Sequence, residues 1–222
     1  MARCKSFMPI LESRVMTIHS ETIIATADIQ AFIHQLAISS IEIEDEVNAA
    51  DRALGDGDTG TMLVRFFRAL DGPHDDNGSV ANLFYAYAIA AGETTGSSLG
   101  TLLCGALMAM SQILQPRETR LPLSAISGLA AVATHALLEL GGARLGDKTI
   151  ADTLDAIATA TKAEADKEAI KKAIVLATRQ ALDDFSGKPC RIGRARMWSQ
   201  DSKWLADPGM FAAAELCART LT

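Results

Sequence analysis

At 222 residues the chain can bury a sizeable core, as one compact domain or two small ones. Apolar residues make up 49% of it, which excludes disorder, and aromatics only 5%, which with abundant Ala and Leu favours helices over a β-sandwich. The formal net charge of −6 argues against sequence-independent binding to nucleic-acid phosphates but leaves nucleotide binding open, because a bound cation inverts the local charge.

Residues 1–20 show no clear period and read as a loose tail, with Met16 an alternative start. Arg3 and Lys5 are followed by no long apolar run, so a signal peptide is not expected, and no stretch has the length and apolarity of a membrane span. The remaining elements follow as a series of helices. Ile29, Phe32, Ile33, Leu36, Ala37, Ile43 and Val47 give helical spacing over 28–47, and the run continues towards Asp51. A Gly-Asp-Gly-Asp segment at 55–58 ends it, and a second helix is predicted from about 60 to 70. Residues 73–78 form a loop, after which Ser79 caps a helix with Leu83, Phe84, Tyr87, Ala88 and Ala91 on one face. A Gly, Ser and Thr-rich break at 92–100 leads into a helix so apolar on all sides that it is expected deep in the domain.

Residues 116–122 break that helix, and 124–140 form another, closed by Gly141 and Gly142. Thr149 and Asp152 have the spacing of a capping box at the next helix start. Residues 166–185 are amphipathic through Ile170, Ala173, Ile174, Ala177 and Ala181. A long irregular segment, 186–207, precedes a last helix opened by Pro208. This gives about eight helices and no convincing strand. Cys4, Cys104, Cys190 and Cys217 have no metal-ligand spacing and read as reduced thiols, in keeping with a cytoplasmic protein.

Four breaks carry unusual polar and glycine content: 51–61, 92–100, 141–149 and 186–209. In an antiparallel array, loops after alternate helices gather at one end, and long polar loops in a compact domain are more often functional than accidental. Asp51, Asp56 and Asp58 lie within eight residues among Gly55, Gly57 and Gly60. Carboxylates crowded together repel unless a cation neutralises them, and their hard oxygens suit Mg²⁺ or Ca²⁺. Thr59, Gly60 and Thr61 follow at a helix start, where free amides can hold phosphate. An isolated Asp-Gly-Asp is more commonly a solvated turn, so this loop alone leaves both readings open. An EF-hand is excluded, because no Glu stands at the twelfth position from Asp56 or Asp58.

Two further motifs mislead. Gly96–Gly100 matches a hydrolase nucleophile elbow, but a helix precedes it where a strand is required. The 141–149 loop approaches a P-loop, but Asp147 intrudes before Lys148 and no strand precedes it. Arg194 and Lys148 are candidates for positive charge near phosphate, with a helix-end or surface role equally open. The four histidines, His19, His34, His74 and His135, fall outside the motif loops.

DRALGDGDTGT at 51–61, TTGSSLG at 94–100, GDKTIAD at 146–152, and GRA and DPG at 193–195 and 207–209 together resemble the L subunit, or nucleotide-binding domain, of dihydroxyacetone kinases. The resemblance spans about residues 28–221 and implies an all-α fold, an eight-helix antiparallel barrel with the nucleotide at one end, formed by residues 21–222 as a single domain. It implies that Asp51, Asp56 and Asp58 hold two Mg²⁺ ions against ATP or ADP phosphates. It places Thr59, Gly60, Thr61, Met62, Thr95 and Gly96 at the phosphates, and Gly141 and Ile150 at the adenine. Arg194 stands near the nucleotide as a charge stabiliser, and Asp207, Pro208 and Gly209 form the closing turn. The implied activity is transfer of the γ-phosphoryl of Mg-ATP to dihydroxyacetone or a related short ketose held on a separate K-type subunit. A homodimer is expected, and a phosphotransferase-system M-type subunit is a further candidate partner; nucleic acid and membrane are not. The chain departs from the family pattern at Thr59, where many phosphotransferase-dependent members have His, at Ser97, where Pro is usual, and at Met62, where Asn is frequent. The first departure favours exchange of free ATP over recharging of bound ADP. Alternative readings are a nucleotide-loaded module binding a transcription regulator, and a phosphoryl donor for a different sugar or acyl substrate.

Overall fold

The computed structural model describes residues 23–164, 166–198 and 200–222; the expected tail at 1–20 lies outside them. Among the described residues are nine α-helices: α1 (Thr26–Glu42), α2 (Glu44–Arg52), α3 (Thr59–Leu70), α4 (Val80–Thr94), α5 (Ser98–Ile113), α6 (Ala125–Gly141), α7 (Ile150–Thr161), α8 (Lys167–Asp184) and α9 (Pro208–Leu221). Each helix packs against the next in sequence, and α9 returns to pack against α1 and α2, so the ring closes. The fold is therefore the expected closed helical barrel.

The first predicted helix is two. Ser40 Oγ donates to the Ala37 carbonyl oxygen at 2.7 Å, a back-bond that bends helices, and the chain turns at Ile43 before α2 begins on Glu44, Asp45 and Glu46. With α1 and α2 counted as one wall, the ring has eight members. Other ends fall where the caps direct: Ser79 accepts from the Asn82 amide, Asp166 from Ala169, and Pro208 opens α9.

Two expectations fail. A small antiparallel sheet joins β1 (Ile23–Ala25) to β2 (Arg120–Pro122), with Ile24 opposite Leu121. Three residues are too few to show alternation, and their pairing spans almost a hundred residues of sequence. Nor is α5 deep: only Gly100, Ala106 and Leu107 are buried along it, and Ile113 is 54% exposed. A ring has no central helix, so α5 divides its apolar surface. Leu103 and Met108 pack on the cluster that α1, α3, α4 and α9 build around Met62, Phe66, Leu83 and Tyr87. Leu102 and Ala109 pack on a second cluster with Ala133, Leu137 and Ala151. Among the described residues no helix is long and apolar enough to cross a membrane, and Cys104, Cys190 and Cys217 are free thiols.

Candidate functional site

The connections α2–α3, α4–α5, α6–α7 and α8–α9 leave the barrel at one end and touch one another there. A Cβ on Gly100 would overlap Thr95 and press on Met62 Sδ at 3.3 Å, so the α5 entry lies against the first turn of α3. A Cβ on Gly209 would meet Ile150 at 3.3 Å and Leu99 at 3.8 Å, and one on Gly141 would meet Leu102 at 3.4 Å. The four polar loops therefore form one surface, with Thr95, Gly141 and Ile150 on it beside two residues the sequence pattern did not mark, Leu99 and Leu102, and Gly209 buried behind Ile150 and Leu99. His34, paired with Asp71 at 3.0 Å, and His74, bonded to the Leu70 carbonyl, belong to the opposite end.

The carboxylate loop is organised by Asp51. It is 6% exposed, and its Oδ2 accepts from the backbone amides of Gly57 (3.1 Å), Asp58 (3.0 Å) and Thr59 (3.1 Å) and from Thr59 Oγ1 (2.8 Å). Gly57 takes φ = 79°, the left-handed region that folds the loop back over Asp51. Oxygens of Asp51, Asp56 and Asp58 come within 4.8 Å of one another. The guanidinium of Arg194, on a short 3-10 turn at Arg194–Trp198, forms an ion pair with Asp56 and holds its carboxyl below the usual carboxylate range. A cationic group thus already sits against the cluster, and the donor set is all hard oxygen, which fits a Mg²⁺ site.

The amides at 59–61 are not open as expected. Thr59 donates to Asp51, while Gly60 (2.8 Å) and Thr61 (3.2 Å) donate to Asn48 Oδ1. Glu44 completes this inner cap by accepting from Thr61 Oγ1 at 2.7 Å. Asn48 and Glu44 were not singled out from sequence, although Glu44, Asn48 and Asp51 share one face of α2 at i, i+4, i+7. At Gly60 α3 meets the Glu44 carbonyl so closely that a side chain has no room. The second loop differs. Ser97 gives α5 no side-chain cap, so the helix presents its first turn uncapped against the first turn of α3.

Lys148 turns its ammonium into the protein rather than towards solvent. It is 3% exposed, and its Nζ donates to the carbonyls of Lys188 (2.9 Å), Ser202 (2.9 Å) and Lys203 (3.2 Å). Burial lowers its pKa, against the opposing influence of Cys190 and Asp207. Asp207 caps α9 through the Met210 amide at 2.9 Å, and burial pushes its carboxyl up to about 6. Asp152 forms the capping box with Thr149 and also accepts from Gly146 at 2.6 Å, fixing the 146–149 turn.

Fold and site together define a closed helical barrel with a carboxylate loop and an uncapped helix terminus at one end. A DAK2 domain is recognised over residues 53–221, and the chain belongs to that family. It is 29% identical over 193 residues to human triokinase/FMN cyclase, covering 83% of this chain and 33% of the relative. It is 30% identical over 199 residues to D-erythrulose kinase of Mycolicibacterium smegmatis, covering 84% of this chain and 33% of the relative. The dihydroxyacetone kinase from C. freundii, solved with AMP-PNP and Mg²⁺, matches with a TM-score of 0.68 at 20% identity, over 98% of this chain and 38% of that one. The chain spans about a third of the length of these curated relatives.

Proposed function

We propose that this domain binds a magnesium nucleotide at the loop end of the barrel and presents its γ-phosphoryl group to a short ketose held on a K-type subunit or domain. One observation carries the reading: oxygens of Asp51, Asp56 and Asp58 converge, with Arg194 paired to Asp56, in the loop that leads into α3, and the uncapped start of α5 packs on the first turn of that helix. Asp51, Asp56 and Asp58 would hold the metal, two ions in the fullest form of the reading. Bound there, Mg²⁺ would supply positive charge to the phosphate oxygens.

This chain's own residues bind and orient. The amides of the α5 first turn, entered through Thr95 and Gly96, offer partial positive charge to phosphate oxygens. With the amides at 59–61 turned inward, Thr59, Gly60, Thr61 and Met62 would shape the phosphate side of the site, and Thr59 holds Asp51 in place. Leu99, Leu102, Gly141 and Ile150 give an apolar seat for the base, closed by Asp207, Pro208 and Gly209. Arg194, paired to Asp56 and largely exposed, would be the residue to offer charge to the phosphates. The names of the relatives, triokinase and erythrulose kinase, point to a ketose acceptor, and the length they have beyond this chain leaves room for the part that holds it. Thr59 in place of His favours free ATP as donor over recharging by an M-type partner.

Calorimetry with Mg-ADP tests the site. Asp56→Ala and Asp58→Ala should each weaken binding at least tenfold; unchanged affinity in both defeats the reading. Mixing the domain with a K-type partner, ATP and dihydroxyacetone or erythrulose tests the reaction, and no phosphorylated product with any such partner defeats the kinase assignment.

A further inference from the structure

We infer that Lys148 is a positioning residue, a clasp at the neck of the 186–207 segment that sets where Arg194 stands relative to the metal-ligand carboxylates. The segment is a loop with its two limbs joined. The Gly187 amide donates to the Lys203 carbonyl at 2.8 Å, and the Cys190 amide to Ser202 Oγ at 2.9 Å. Lys148 enters between those limbs from the α6–α7 loop and binds both, Lys188 on one and Ser202 and Lys203 on the other. Three acceptors use all three ammonium donors, so nothing remains for a ligand. Its backbone has φ = 65°, a strained conformation for a residue with a side chain, which the surroundings must enforce. The neighbouring Asp147 carbonyl accepts from the Arg191 amide at 3.1 Å, a second tie from the same turn to the same loop.

Arg194 lies farther round this loop, away from the neck. Ala195 beside it is buried with Cys190 against Leu54, a residue of the carboxylate loop itself. The neck therefore fixes the base of the loop, the Leu54 contact seats it, and Arg194 reaches Asp56 as a result. With its three donors taken by backbone carbonyls, Lys148 acts through Arg194. This role extends the metal–nucleotide reading of the site, but the clasp can be tested without nucleotide.

Hydrogen exchange on the ligand-free protein compares wild type with Lys148→Met, and with Lys148→Gln should the first variant not fold. The amides of Gly187, Cys190 and Arg191 should exchange at least tenfold faster, with α3 and α4 unchanged. Unchanged protection at those three amides overturns the clasp. Mn²⁺ binding, followed by water-proton relaxation, then tests the link to Arg194. Arg194 competes with a cation for Asp56, so Lys148→Met and Arg194→Ala should each tighten Mn²⁺ binding at least threefold, and the double variant should bind no tighter than Arg194→Ala. Effects that multiply overturn the link. If Mn²⁺ binds no form of the protein, the metal reading of the carboxylates falls, and the exchange result still decides the clasp.

Discussion

Asp51 carries two duties that a single pair of substitutions separates. Its Oδ2 organises the loop through three amides and the Thr59 hydroxyl, while its charge belongs to the carboxylate cluster. A charge-assisted hydrogen bond contributes about 1.5–3 kcal/mol, so four sum to roughly 6–12 kcal/mol before the donors regain water. The loop is part-exposed and its amides can be rehydrated, which reduces the net loss in Asp51→Ala to about 3 kcal/mol. For a chain of this size each kcal/mol moves the melting temperature by about 2–4 °C, so Asp51→Ala should melt roughly 9 °C lower. Asp51→Asn keeps an acceptor in place with neutral hydrogen bonds, about half as strong, and should melt roughly 4 °C lower. Metal-free thermal melts by circular dichroism measure both. If the aspartates were only a knot of repelling charges, removing one would raise the melting temperature. A rise in Asp51→Ala, or a loss in Asp51→Asn as large as in Asp51→Ala, refutes the reasoning.

Glu215 joins α8 to α9 by accepting from Arg179 at 2.7 Å and from Arg219, with only 13% of its side chain exposed. Glu215→Gln should cost about 1.5 kcal/mol, read as a melting point roughly 4 °C lower that salt does little to restore. Asp207 has a folded pKa raised to about 6, above its ordinary 3.8. Its contribution to stability is therefore complete below about pH 4 and lost as pH rises through 6, by up to about 3 kcal/mol. Asp207→Asn keeps a good helix cap and removes that titration, so its urea midpoint relative to wild type should climb between pH 5 and pH 7; parallel curves would contradict this. Arg194→Ala removes a largely exposed pair and should leave the melting temperature unchanged while altering Mg-ADP affinity in calorimetry.

Much of this was legible in the sequence because it is local. Ser79, Thr149 with Asp152, Asp166 and Pro208 act within one helical turn, so their spacing fixes the helix starts. The apolar period of each helix fixes its buried face, and alternate loops in an antiparallel array must share an end. The proximity of Asp51, Asp56 and Asp58 follows from eight residues and three glycines. Contacts between distant segments were not legible. The turn amides of α3 looked free because their acceptor, Asn48, lies on the preceding helix, and only the packing of α2 on α3 aims it at them. For Lys148 the sequence left a charge near phosphate and a helix-end or surface role equally open, because its acceptors are forty to fifty-five residues away. The strand pairing of β1 with β2, the shared burial of α5 and the approach of Arg194 to Asp56 depend likewise on ring closure. Sequence determined which residues gather at the site end, since turn chemistry and helical period act over a few residues. The tertiary structure decided which donors there remain open, since a hydrogen-bonding group is satisfied by whatever the closed barrel brings within 3 Å.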